Sequence, residues 1–92
     1  MRGLYLLHFE PPYRHAGHYL GYSRDISARI AEHLAAGAKS SPLVRAALAS
    51  GSTVLLAASM PGLGRTDERR LKRQGGLSRH CPLCRAYGDY HR

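Results

Sequence analysis

The chain has 92 residues, with 14 lysines and arginines against 6 aspartates and glutamates, a net charge of +8. That length allows one domain with a small core and leaves no room for a second. Two cysteines are too few for a disulfide-rich scaffold, and the longest apolar run, residues 54–58, is far too short to cross a membrane.

No secretory leader is visible, and no stretch pairs a broad apolar face with a basic one. The expectation is a soluble, cytoplasmic protein with reduced thiols and no membrane contact. A surface this basic, built mostly from arginine, attracts polyanions, with nucleic acid the first candidate. The blander reading is a solvated basic surface.

In chain order, residues 3–9 are mostly apolar and end at Glu10-Pro11-Pro12, which predicts a buried first strand stopped by prolines. On this segment alone Tyr5 reads as a core aromatic. Residues 10–17 predict a turn, in which His15 and His18 flank Gly17 as ordinary loop residues or as phosphate or metal ligands. Residues 18–22 predict a second strand, antiparallel to the first, with Gly21 near its end allowing the backbone to turn toward the next helix. Ser23 or Asp25 can cap a helix from Ile26 to about residue 36, ended near Gly37. Ile26, Ile30 and Leu34 recur every fourth residue as its apolar stripe, with Arg29 and His33 beside it.

Ser41 as cap and Pro42 as opener predict a second helix to residue 49, with Leu43, Val44, Ala47 and Leu48 on one face. The apolar run in residues 52–59 has the length of a buried third strand. A third helix spans residues 65–73 and ends at Gly75-Gly76; its acidic Asp67 and Glu68 precede Arg69, Arg70, Lys72 and Arg73, as the helix dipole favours. By charge pattern alone Glu68 reads as the i,i+4 partner of Lys72.

Residues 77–92 form a basic tail carrying Cys81-Pro82-Leu83-Cys84, flanked by Arg79 and Arg85. Two cysteines at this spacing supply half of a structural Zn²⁺ site. His91 is the easiest third ligand, and a fourth could come from His80, from the His15/His18 loop or from a second subunit. Free reduced thiols are the alternative.

The segment Tyr19-Leu20-Gly21, with Ser23, Ile26, Arg29 and His33 at fixed offsets after it, resembles the second half of the GIY-YIG nuclease signature. Gly3-Leu4-Tyr5 resembles the first half, and Glu68 in a basic helix resembles the family's metal-binding glutamate. The resemblance spans residues 3–75 and rests on the order and spacing of short motifs that would each be weak alone. It implies an α+β domain over residues 1–76, with a three-stranded antiparallel sheet flanked by helices, and it leaves the tail outside.

By the same resemblance the activity is a metal-dependent DNA endonuclease of low sequence specificity, directed by DNA structure or a protein partner. Relatives of that kind act in repair, recombination, restriction and mobile elements. Glu68 would hold Mg²⁺ or Mn²⁺, Arg29 the phosphate, and Tyr5 would activate water. Tyr19 would orient the water or the phosphate, and His33 would relay a proton or bind phosphate. The chain departs from the family in containing no asparagine, where many members have one in the site. That departure keeps open a second reading, a nucleic-acid-binding module that has the fold without the catalysis.

Overall fold

The computed structural model describes residues 1–35 and 40–86, the side chains of Ser78, Arg85 and Ala86 excepted. Its elements in order are β1 (Gly3–Tyr13), β2 (Ala16–Ser23), α1 (Ile26–Leu34), α2 (Pro42–Ala49), β3 (Thr53–Pro61), α3 (Arg65–Gln74), a 3₁₀ turn (Leu77–His80) and α4 (Pro82–Ala86). The strands form one antiparallel sheet in the order β2-β1-β3, with helices on both faces. This is the α+β architecture expected from the sequence.

β1 is central because it is the strand with apolar residues on both faces. Alternation sends Tyr5, Leu7 and Phe9 to one side, where they pack with Ile26, Val44 and Ala47 of α1 and α2 and with Val54 of β3. Leu4 and Leu6 point the other way, onto Leu20, Cys81 and Cys84, with Leu63, Leu71, Leu77 and Leu83 around them. The segment after α3 therefore closes the second face of the core.

The caps of α1 and α2 are among those predicted. Asp25 accepts from the Ala28 N–H at 3.2 Å, and Ser41 accepts from the Leu43 N–H at 3.2 Å with Pro42 opening α2. Asp67 closes the start of α3 by accepting from the Gly64 N–H at 3.0 Å. Gly3 is needed where β1 meets β3: a Cβ there would stand 2.5 Å from the Met60 carbonyl oxygen.

Five expectations change. Gly21 makes no turn: it pairs with Tyr5 inside β2, which continues to Ser23. β1 does not stop at the prolines but runs to Tyr13, because its ladder with β2 is interrupted between His8 and Tyr13 and the proline nitrogens need no partner there. β3 is not a buried strand but an edge strand, with Leu55 and Leu56 exposed, so its apolar run does not translate into burial. The α1 stripe is rotated: Ile26 and His33 are buried and Leu34 is half exposed. The tail forms a 3₁₀ turn and α4, where no element was expected. Gly37, the expected end of α1, and His91 lie outside the described residues. Among the described residues no helix is long and apolar enough to cross a membrane.

Candidate functional site

Each face of the sheet carries one cluster of chemically capable side chains. On the α1 side, Tyr5 sits directly across the β1–β2 ladder from Gly21. A Cβ at Gly21 would lie 2.5 Å from both Cζ and Oη of Tyr5, so the phenol occupies the space that the glycine leaves. Tyr19, two residues earlier on β2, shares that face. Its ring centroid is 6.2 Å from Tyr5 and 5.4 Å from His33.

The Asp25 cap fixes where α1 begins, and one turn separates Arg29 from His33 on it. His33 is fully buried, and its Nε2 lies 2.8 Å from the Tyr5 hydroxyl. Its Nδ1 accepts from the Ser41 N–H at 3.3 Å. A neutral imidazole has one proton, so this network assigns it to Nε2, which donates to Tyr5 Oη. Burial, and then the Arg29 cation, hold the His33 pKa below its ordinary value, which keeps the ring neutral at pH 7. His33 thus faces Tyr5 and not solvent.

Arg29 also hydrogen-bonds Tyr5, and it pairs with Glu32 at 3.5 Å. Burial works against the Arg29 charge, but Tyr5 and Glu32 outweigh it and raise its pKa further. The Tyr5 hydroxyl therefore receives hydrogen bonds from both Arg29 and His33. Burial, and then the neighbouring Tyr19 hydroxyl, nevertheless push its pKa up to about 12, with Arg29 opposing.

The sign of the consequence follows from that direction. The folded value lies above the unfolded one near ~10, so stability is intact below pH ~10 and falls as the pH rises toward 12. Between pH ~9 and ~11 the wild type should lose about 1–2 kcal/mol more than Tyr5→Phe. Urea unfolding of the two proteins across that window measures the difference.

Outward from Arg29 an open depression of about 630 Å³ is lined by Tyr22, Ser23, Arg24, Arg29 and Arg65. Arg65, the first residue of α3, lies 5.1 Å above the Tyr22 ring. Three arginines, from the β2–α1 loop, α1 and α3, line it, a surface that suits phosphate oxygens. Glu68 stands three residues after Arg65, on the same side of α3. Its carboxylate is bonded to Lys72 Nζ at 3.0 Å, the i,i+4 pair that the charge pattern predicts. Tyr5, Tyr19, Arg29 and His33 thus form one contiguous group, whereas Glu68 lies on α3, which packs through Leu71 on the other face of the sheet.

On the opposite face, His8, His18, Cys81 and Cys84 form the second cluster. One ligand atom from each lies within 4.8 Å of all the others, an arrangement that could hold a metal ion. His8 and His18 are cross-strand partners, and the 3₁₀ turn and α4 deliver the cysteines. Burial, and then the adjoining Cys81 thiol, push the Cys84 thiol up to about 11.

The cysteine pair was legible in the sequence and its partners were not. The expected third ligand, His91, lies outside the described residues. His80 and His15 are exposed and stay outside the cluster, while His18 joins it. His8 was missed because it sits in an apolar strand. The available signal was Glu10 two residues on, which strand alternation puts on the same face as His8. No protein-family model matches this chain, and neither the curated proteins nor the solved structures contain a match to it.

Proposed function

We propose that this protein is a divalent-metal-dependent endonuclease that hydrolyses phosphodiester bonds in DNA with little sequence specificity. The observation that carries the reading is the arginine-lined depression opening beside a tyrosine whose hydroxyl is held by Arg29 and His33. A backbone phosphate in the depression meets the Arg29 fork, which suits its non-bridging oxygens better than a lysine would. Charge building on those oxygens in the transition state is met by donors already in place. Arg24 and Arg65 extend the contact along the strand, and the +8 charge draws DNA in with strong salt dependence.

Tyr5 is the group assigned to take a proton from the attacking water. Arg29 and His33 Nε2–H stabilise its phenolate, which offsets part of the burial effect. Tyr19 orients water or phosphate from the adjacent strand position. Glu68 fits a hard cation as a single carboxylate ligand once Lys72 swings aside, with water and phosphate oxygens completing the shell. Mg²⁺ or Mn²⁺ held there would supply Lewis-acid stabilisation of the phosphate. Zn²⁺ is assigned to the separate sulfur–nitrogen cluster, and a cytoplasmic location suits two cysteines that form no disulfide.

The enclosure of Tyr5 and the Lys72 pairing of Glu68 favour a second reading, a binding module that no longer cuts. Cleavage of supercoiled, branched and nicked DNA with Mg²⁺, Mn²⁺ or EDTA separates the two. Metal-dependent cutting that falls by ~10²-fold or more in Glu68→Ala is the expected result. Salt-sensitive binding without cutting on any substrate selects the binding module, and cutting unchanged in Glu68→Ala removes that residue as the ligand.

A further inference from the structure

We infer that His8, His18, Cys81 and Cys84 bind one Zn²⁺ as a closed structural site that fastens the C-terminal segment to the β1–β2 hairpin. The inference stands on the cluster itself and does not depend on the nuclease reading. A tetrahedral zinc, with bonds of about 2.0–2.1 Å to nitrogen and about 2.3 Å to sulfur, sets its ligands apart by about 3.3 Å between nitrogens and about 3.5 Å between nitrogen and sulfur. His8 Nδ1 is 3.4 Å from His18 Nε2, 3.5 Å from Cys81 Sγ and 3.7 Å from Cys84 Sγ. Cys84 Sγ is 3.2 Å from His18 Nε2. These four of the tetrahedron's six edges match to within about 0.4 Å, and all four ligand atoms lie within 4.8 Å of one another.

Direct hydrogen bonding does not account for this convergence. His8 Nε2 donates to Glu10 Oε2 at 3.0 Å, which leaves Nδ1 with one lone pair and no proton. Three ligand atoms crowd around that single lone pair, whereas one cation between them satisfies all four groups together. A histidine that ligates through one nitrogen and donates to a carboxylate through the other is the usual supporting arrangement of a zinc ligand. Two thiolates and two neutral imidazoles also balance the ion's charge.

The site is closed: Cys81, His8 and Cys84 are all buried, and four protein ligands leave no place for a reacting water. It also lies on the face of the sheet opposite Tyr5, so its contribution is to folding. The ligands join residues 73 positions apart in sequence. A domain this small, with a core split over two faces of one sheet, gains much from such a staple.

The test is metal analysis of the full chain, purified with a thiol reductant and without chelator. About one zinc per chain is expected, with loss of zinc in Cys81→Ser and in Cys84→Ser. Either variant can unfold the domain, so two measurements on folded protein accompany them. Co²⁺ in place of zinc should give thiolate-to-metal charge transfer and the visible bands of a tetrahedral centre. Glu10→Gln keeps all four ligands and should weaken zinc binding by about 10–100-fold. Glu68→Ala should retain zinc in full, which separates this ion from the one assigned to cleavage.

Chelation should lower the Tm of the wild type by about 10 °C or more. Folded wild type with reduced thiols, less than about a tenth of a zinc per chain and no change in Tm with zinc or chelator would overturn the inference. So would a Co²⁺ spectrum without sulfur-to-metal bands.

Discussion

Tyr5→Phe should reduce metal-dependent DNA cleavage by about 10²-fold or more, while DNA affinity changes by no more than a few-fold. The phenol is the point where β1, β2 and α1 meet: Gly21 makes room for it, and Arg29 and His33 both direct hydrogen bonds at its oxygen. Removing only the oxygen leaves the ring, the arginine-lined depression and the net charge in place, so binding survives. The substitution also costs stability. The Nε2–H of His33 would be left in a buried site without an acceptor, a penalty of about 1–3 kcal/mol. Rates are therefore to be compared at equal folded fraction, set by circular dichroism. Wild-type rates in folded Tyr5→Phe would make Tyr5 a core aromatic and move the water-activating role elsewhere.

Gly21→Ala is expected to have the larger structural effect for the smallest chemical change. A methyl group at that position would stand 2.5 Å from two atoms of the Tyr5 ring. The ring is enclosed and has little room to withdraw. Either the phenol swings away from Arg29 and His33 or the β1–β2 register opens, and overpacking of this kind costs about 1–3 kcal/mol. Cleavage should fall with the displaced hydroxyl, by about 10²-fold as for Tyr5→Phe. A double-mutant cycle identifies the cause. Tyr5→Leu removes the atoms that clash, so Gly21→Ala should cost much less stability in that background than in the wild type. Additive stability losses would mean that the glycine is needed for backbone geometry alone.

Of the residues behind both expectations, local spacing placed Tyr19, Arg29 and His33 together, and only the resemblance added Tyr5, which is 28 positions from His33 in sequence. The spacing of Tyr19, Arg29 and His33 put a strand and one helix face in succession, and local geometry carries that pattern, although Gly21 stays in the strand and makes no turn. The same holds for the Asp25 and Ser41 caps and for the strand order along the chain. Each depends on residues within about a turn of one another, where propensity and periodicity act directly.

What the sequence by itself determined is thus the α+β class, the succession of elements over residues 3–74 with the Asp25 and Ser41 caps, and the grouping of Tyr19, Arg29 and His33, to which the resemblance added Tyr5. Tertiary structure alone decided the rest. The apolar run of β3 looks buried in sequence, yet sheet order leaves β3 at an edge with Leu55 and Leu56 exposed. The tail reads as an appendage, yet Cys81 and Cys84 complete the second face of the core against β1 and β2. His8, with Glu10 behind it, becomes a candidate ligand only when His18 is registered opposite and the cysteines arrive from the far end of the chain. Those outcomes depend on long-range closure and cross-strand register, which no local period encodes, because the energy that selects them comes from contacts between distant residues.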